Sequence, residues 1–255
     1  MNNKNFNLKI SLLAAIVYIT IMGIGMYIMH SIMGDTYGTP GMMNTMIWVE
    51  VVLSLLAIIF ISRYSSWKAV GFGQLQWKHI LWLVPGIILL AYTWFNIINV
   101  LAAPEIDDKI FNALVIIGIT TLMVGFSEEV MFRGIVLRGA LTQKRIFTSM
   151  LISAAFFSSL HAVNVLGGAS AASIPIQLLN TFLFGLFFAP LALKMGNLIP
   201  LIIFHWLWDF TLFTAVMLSV DTSIMFISFL LIEIIMIIVL WWLMKNKTVE
   251  HVSLT

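Results

Sequence analysis

The sequence of 255 residues contains no cysteine. This absence excludes disulfide bonds, thiolate metal sites and a cysteine nucleophile, although it indicates nothing about the redox compartment. Charge is scarce as well, because Asp, Glu, Lys and Arg together make up only 9% of the chain. A soluble domain usually carries about 25% charged residues. So few charges could not cover a protein surface in water, and lipid is therefore the expected solvent for most of this chain.

Hydrophobic residues make up 61% of the chain and are concentrated in long apolar runs. A helix needs about 20 apolar residues to cross the hydrocarbon core of a bilayer. The runs predict eight spans, near residues 10–29, 46–62, 80–102, 110–132, 147–166, 174–193, 198–217 and 223–244. The alternating pattern of a transmembrane barrel is absent. We therefore predict an all-α integral membrane protein, a bundle of about eight transmembrane helices.

No linker, low-complexity stretch or internal repeat interrupts these runs, so a single polytopic membrane domain is expected over residues 1–255. The first run lacks an A-x-A-like cleavage pattern, and we expect it to remain as a membrane anchor. The formal net charge of +2 is too small to suggest a nucleic-acid partner.

The charged loop residues predict the orientation of the bundle. Twelve of the thirteen Lys and Arg residues fall on one side of the predicted spans: Lys4, Lys9, Arg63, Lys68, Lys78, Arg133, Arg138, Lys144, Arg145, Lys194, Lys245 and Lys247. The other side carries Asp35, Glu105, Asp107, Asp108, Lys109 and Asp221. The positive-inside rule assigns the basic side, and with it both termini, to the cytoplasm.

Ionisable residues inside a membrane span are costly and usually mark a function. Seven candidates lie within the predicted spans: Glu50, Glu128, Glu129, His161, His205, Asp209 and Glu233. Glu50 is close to the outer end of its predicted span and is expected to be interfacial. Glu233 lies deeper, but no partner for it is evident from the sequence.

Glu128, His161 and His205 belong to three different spans that bring them to similar depths. At 1.5 Å per residue, their expected heights above the basic side are roughly 20, 22 and 14 Å. Because these three titratable groups share one layer of the membrane, we expect them to converge in one polar site.

Helical phase separates the two adjacent glutamates. Glu128 and Glu129 differ by about 100° around a helix, so they cannot both face one cavity squarely. Glu129 can pair with Arg133 at the i,i+4 spacing, which leaves Glu128 as the freer carboxylate. His205 and Asp209 also share one helix face, where the carboxylate could orient the imidazole or join the site itself.

These residue types suit hydrolysis of a carbonyl bond, such as a peptide bond in a membrane-associated substrate. A buried carboxylate can act as general base for water, and nearby histidines can bind an oxyanion or a metal. Two histidines with one or two carboxylates could hold a catalytic zinc, so the metal question stays open. The sequence has no H-E-x-x-H motif and no G-x-S-x-G nucleophile turn.

Three short motifs carry these residues, in order and on separate spans. They are residues 128–133 (E-E-V-M-F-R), residues 157–161 (F-S-S-L-H) followed by Asn164, and residues 205–209 (H-W-L-W-D). They resemble the E-E-x-x-F-R, F-x-x-x-H and H-x-x-x-N/D signatures of the CAAX-protease and bacteriocin-processing (CPBP, Abi) family of intramembrane endopeptidases. That family includes the Rce1-type prenyl-protein protease. The likeness covers residues 110–215, the expected catalytic core.

The resemblance implies a role for each motif residue. Glu128 would activate the attacking water, helped by Glu129, and His161, His205 and Asp209 would position the water and stabilise the oxyanion. The supporting residues would be Arg133, Phe157 and Asn164.

Family members have been described both as metalloproteases and as metal-independent glutamic proteases. A zinc ion, if present, would be held by His161, His205, Glu128 and Asp209, but the lack of a helix-borne H-E-x-x-H motif favours the metal-independent class. Asp209 stands where the prenyl-protease branch has Asn. This departure puts prenylated substrates in doubt and leaves peptide maturation or bacteriocin immunity as alternatives.

The sequence is compatible with two other functions. The same cavity would serve a non-catalytic immunity or scaffold protein that binds a peptide, or a proton-coupled transporter, although no inverted repeat supports the latter. The expected partners are a membrane-associated peptide or protein and the lipid bilayer. The expected location is a bacterial plasma membrane, with several passes.

Overall fold

The computed structural model describes residues 6–102, 108–245 and 247. Over these residues the chain is built from helices joined by short connections. The α-helices are α1 (Leu8–Ser31), α2 (Met43–Tyr64), α3 (Val84–Leu101), α4 (Asp108–Glu128), α5 (Leu137–Leu141), α6 (Ile146–Leu160), α7 (Ile174–Met195), α8 (Ile199–Met217) and α9 (Ser223–Met244). A π-helical segment, Glu129–Val136, joins α4 to α5, and 3₁₀ helices occupy Pro40–Met42, Trp77–Leu83 and His161–Gly167.

Within the described residues, eight helical stretches are long and apolar enough to cross a membrane. They are Leu8–Ser31, Pro40–Tyr64, Trp77–Leu101, Asp108–Leu141, Ile146–Gly167, Ile174–Met195, Ile199–Met217 and Ser223–Met244. Each overlaps its predicted counterpart, so the prediction of an all-α protein with eight spans is confirmed. The protein is a multi-pass membrane protein.

The orientation of the bundle stays a prediction. Lys4, Glu105 and Asp107, which contributed to it, lie outside the described residues. The alternating direction of successive spans still places Lys9, at the start of α1, at the same end as Arg63, at the end of α2.

Local sequence signals explain where several helices begin and end. The Asn7 side chain caps α1 by accepting a hydrogen bond of 3.1 Å from the Ile10 amide. A proline stands in the first turn of α3, α7 and α8, where its missing N–H costs no helical hydrogen bond. Gly196 ends α7 with a φ of 66°, a left-handed conformation that glycine adopts without steric cost.

Glycine also allows the central helices to approach each other closely. A Cβ atom added to Gly125 of α4 would lie 2.9 Å from the Ile202 carbonyl oxygen and 3.0 Å from the Trp206 amide nitrogen in α8. One added to Gly185 of α7 would lie 2.7 Å from the Cα atom of Ala154 in α6. Small residues at such contacts are the usual way in which membrane helices pack tightly. These two contacts bring α4 to α8, and α6 to α7, around the polar residues.

The π-helical segment carries all of the E-E-V-M-F-R motif except its first residue, Glu128. All eight of its residues are buried. The Ser153 hydroxyl of α6 donates a hydrogen bond of 2.8 Å to the Phe132 carbonyl, which satisfies a polar group that lipid could not. π-Helical turns inside α-helices often occur at functional sites.

We expect Gly125→Ala to destabilise the fold by about 1–3 kcal/mol, because the added methyl group would press on the α8 backbone. Thermal unfolding in detergent should show a lower midpoint than for the wild type. Gly118→Ala on the same helix is the matched control, since its Cβ would meet only the Phe210 side chain, at 3.5 Å. Equal midpoints for the two variants would contradict the close contact between α4 and α8.

Candidate active site

His205 of α8 is surrounded by three carboxyl groups. Its Nδ1 atom lies 2.9 Å from Oε1 of Glu129, within hydrogen-bonding distance. Its Nε2 atom lies 3.4 Å from Oδ2 of Asp209 and 3.8 Å from Oε2 of Glu128. The last two distances are longer than an ordinary hydrogen bond. One ring edge is therefore fixed by Glu129, while the other edge is held only loosely.

Arg133 forms an ion pair with the same glutamate, Glu129. Its Nη1 atom lies 2.9 Å from Oε1 of Glu129, and both side chains are fully buried. The guanidinium carbon lies 3.9 Å from the ring centroid of Phe157 and 5.2 Å from that of Phe188. Aromatic faces attract a cation most strongly where water is excluded. The buried charge is thus stabilised by one carboxylate and two rings.

Phe157 contacts both histidines. Its ring meets the His161 ring edge-on with centroids 5.2 Å apart, and the His205 ring with centroids 6.0 Å apart. Its carbonyl oxygen lies 3.1 Å from Nδ1 of His161. The spacing of four residues between Phe157 and His161 therefore has a structural reason, because it places the ring and the carbonyl on the same imidazole.

The contact with Phe157 fixes the tautomer of a neutral His161. A carbonyl oxygen only accepts hydrogen bonds, so Nδ1 must carry the proton. The Nε2 atom then has a free lone pair and can accept a hydrogen bond. His161 is half-buried, at the end of α6, and faces a cavity.

The cavity has a volume of about 80 Å³. A single water needs about 10–15 Å³ on this scale, so several waters fit. Its lining residues are Met22, Met26, Tyr37, Met42, Met43, Met46, Glu50, Thr120, Val124, Glu128, Leu160, His161, Asn164, Asp209 and Phe213. Polar groups from α2, α4, α8 and the 3₁₀ helix after α6 thus face one space inside the bundle that is large enough for several waters.

The structure brings together the ionisable residues of the three motifs. Glu128, His161, Asn164 and Asp209 line the cavity, whereas Glu129 lies behind it with Arg133. This is the division of the two glutamates that helical phase predicts. Both nevertheless reach His205, since one approaches each edge of the ring. Oε1 of Glu129 lies 2.9 Å from both Arg133 and His205, whereas the ion-pair contact of Glu128 with His205 is 3.8 Å long, so Glu128 is the freer carboxylate.

The expectation that Glu50 is interfacial is wrong. The span that contains it begins at Pro40 rather than near residue 46, which places the carboxyl group deeper. Glu50 is fully buried and lines the cavity. Its Oε2 atom accepts a 2.7 Å hydrogen bond from Ser127, whose oxygen lies 2.7 Å from the Tyr18 hydroxyl. A glutamate within a predicted span already indicated a possible site residue. Because the predicted span began too late in the chain, Glu50 was assigned too shallow a depth.

Tyr37 is a second residue that sequence reasoning missed. It lies in the connection between α1 and α2, lines the cavity, and accepts a 2.7 Å hydrogen bond from Nε2 of Gln177. Burial raises the pKa of Tyr37 to about 12, so the phenol stays neutral and keeps a proton to donate. No periodic signal marks a loop residue, and only the packing of this connection against Gly167 brings it to the site.

Glu233 of α9 is buried, but it is not among the residues that line the cavity. Within the described part of the chain, its Oε1 atom has no hydrogen-bond partner. It is a buried carboxyl group apart from the motif residues.

The zinc question concerns Glu128, His161, His205 and Asp209. Across residues 6–102, 108–245 and 247, no group of three or more His, Cys, Asp or Glu side chains is placed to hold a metal. His205 has Nδ1 engaged by Glu129 and His161 has Nδ1 engaged by a carbonyl. This leaves Nε2 as the nitrogen of each ring that could face a metal.

Comparison with protein families bears on the same region. Residues 110–211 match the model of the family described as type II CAAX prenyl endopeptidase Rce1-like. The matched range contains all three motifs, so the resemblance predicted from them is confirmed there. The match indicates a peptidase of the CAAX-protease type embedded in a membrane. No curated protein and no solved structure gave a significant match.

We expect Arg133→Met to cost about 3–5 kcal/mol, because it would leave the Glu129 carboxylate buried without its cation. Adding Glu129→Gln should restore part of the loss, since the stranded charge is then removed. Thermal unfolding of the wild type, both single variants and the double variant gives the coupling between the two residues. Strictly additive effects would show that the ion pair contributes nothing.

Proposed function

We propose that this protein is an intramembrane endopeptidase that hydrolyses a peptide bond through water activated by Glu128. The observation that supports it best is a carboxylate with a free oxygen on a cavity large enough for water, beside two oriented histidines. The proposed substrate is a membrane-associated peptide or protein. Peptide maturation and bacteriocin immunity are settings that would use such an activity.

In the first step, Glu128 removes a proton from a cavity water while the water oxygen attacks the carbonyl carbon of the peptide bond. The new C–O bond forms as the carbonyl π-bond opens, and the negative charge moves to the carbonyl oxygen. Nε2 of His161, with its lone pair, accepts a hydrogen bond from the same water and holds it in line. Positioned general bases of this kind typically contribute about 10²–10⁴-fold in rate.

The developing oxyanion needs a hydrogen-bond donor. Nε2 of His205 is the suitable group when the ring is the doubly protonated imidazolium, because Nδ1 then donates to Glu129 while Nε2 keeps a proton of its own. The Nε2 contacts with Asp209 and Glu128, at 3.4 and 3.8 Å, are long enough to be exchanged. Glu129 and Arg133 keep the opposite edge of the ring in place. Asp209 keeps the imidazole oriented between turnovers. A donor fixed before the reaction is effective because it needs no reorganisation.

In the second step the tetrahedral intermediate collapses. The carbon–nitrogen bond breaks, and Glu128 returns the proton it took from water to the leaving amine. The products are a carboxylic acid and an amine, and Glu128 is ready for another water. One carboxyl group thus serves as base and then as acid, with no change in the overall charge of the site.

We expect Glu128→Gln to abolish cleavage while leaving the fold intact, since the amide keeps the shape but cannot take a proton. Proteomics of membranes from cells carrying the variant should reveal an uncleaved precursor that the wild type removes. Glu233→Gln is the matched control, because it alters another buried glutamate that does not line the cavity.

Normal processing by Glu128→Gln would refute the proposed reaction. It would favour the alternative of a non-catalytic protein that binds a peptide in the same cavity. Loss of processing in both variants, together with lower unfolding midpoints, would point to a general structural defect instead.

We further propose that the reaction does not depend on a metal. Among the described residues, no group of three or more His, Cys, Asp or Glu side chains is placed to hold a metal. Processing should therefore persist in purified protein treated with 1,10-phenanthroline, and metal analysis should find no stoichiometric zinc. A loss of activity that added zinc restores would overturn this part of the proposal and would leave the role of Glu128 to be tested separately.

A further inference from the structure

The cavity lies toward one end of the helical bundle. It is lined by the second half of α1, the start of α2, the end of α6 and the second half of α8. The residues that mark these positions are Met26, Met43, Leu160 and Phe213. Tyr37, in the connection between α1 and α2, belongs to the same end. All of these positions point to the end where α1, α6 and α8 finish.

The opposite end of the bundle carries the basic connections. Arg63 ends α2, Lys144 and Arg145 separate α5 from α6, Lys194 ends α7, and Lys245 follows α9. A buried layer separates the cavity from this end. It consists of Phe132, Arg133, Phe157 and Phe188, none of them more than 2% exposed. Water and peptide would have to pass through the arginine–aromatic contacts to enter from the basic side.

Residues at the other end of the cavity remain partly open. Tyr37, His161 and Phe213 are only half-buried, and the Asp209 side chain is 20% exposed. The partly exposed residues of the cavity therefore lie at the end away from the basic connections, and we take this end as its opening.

We propose that the cavity opens on the extracytoplasmic side and takes its peptide from there. The inference rests on the proposed function and on the positive-inside rule, which assigns the basic connections to the cytoplasm. The side on which the cavity opens determines which peptides can reach it. The cleaved bond would belong to a secreted or membrane-anchored chain exposed outside, and lipidated chain ends in the cytoplasm would be out of reach.

The walls near the opening also suit such a substrate. Five methionines line the cavity, from Met22 to Met46. Methionine is unbranched and adaptable, so these side chains can repack around different apolar groups. The Tyr37 hydroxyl accepts its hydrogen bond from Gln177 and keeps its own proton free for a peptide carbonyl. We therefore expect an apolar residue beside the scissile bond, without strict selection for one side chain.

The natural lack of cysteine makes the opening directly testable. Single cysteines would be introduced as Tyr37→Cys at the open end, Met46→Cys on the cavity wall, and Gln143→Cys in an exposed connection at the basic end. Each is treated with a small, charged methanethiosulfonate that does not cross membranes, in intact bacterial cells and in inverted membrane vesicles. The unmodified protein gives the background.

We expect Tyr37→Cys and Met46→Cys to be labelled in intact cells, and Gln143→Cys only in inverted vesicles. Labelling of the first two only in inverted vesicles would overturn the proposal, as would labelling of Met46→Cys from neither side while Tyr37→Cys reacts. The readout needs no cleavage, so it stands apart from the Glu128→Gln experiment. A peptidase that opens to the cytoplasm would lose processing in Glu128→Gln and be labelled only in inverted vesicles. An outward-facing cavity without activity would be labelled in intact cells while Glu128→Gln leaves processing unchanged.

Discussion

The contact of Arg133 with Glu129 and the face of Phe157 is the interaction on which the rest of the site depends. An arginine buried among apolar helices needs a counter-ion, because the interior of a membrane protein solvates charge poorly. Glu129 provides it, and the same carboxylate oxygen then fixes the His205 ring. One buried cation thus couples α6 and α8 to the segment that carries the two glutamates. Any shift of these helices would leave charge uncompensated.

The fold and the chemistry use the same close contacts. Gly125 lets α4 approach α8, and three residues later the chain presents Glu128 to His205. The π-helical turn that follows keeps Glu129 and Arg133 together on the side facing away from the cavity. The water-sized cavity is therefore a consequence of helix packing around polar groups, and its rigid side is the arginine–aromatic layer.

Most of the motif residues were identifiable in advance because their signals are local. Hydrophobic length predicts the spans, and the i,i+4 rule predicts the pairing of Glu129 with Arg133. Glu50 and Tyr37 were not identifiable as site residues. The depth of Glu50 depends on a 3₁₀ turn that lengthens its span at Pro40, and Tyr37 reaches the cavity through a loop contact with Gly167. Neither the 3₁₀ turn nor the loop contact produces a periodic pattern in the sequence.

The sequence by itself determined the solvent, the helical class, the eight spans and the three motifs, because composition and periodicity act over one helix at a time. Only the tertiary structure decided which edge of His205 each glutamate meets, that Glu50 joins the cavity, and that the cavity lies away from the basic connections. These features depend on contacts between residues far apart in the chain. Such contacts follow from how whole helices pack, which no short stretch of sequence specifies.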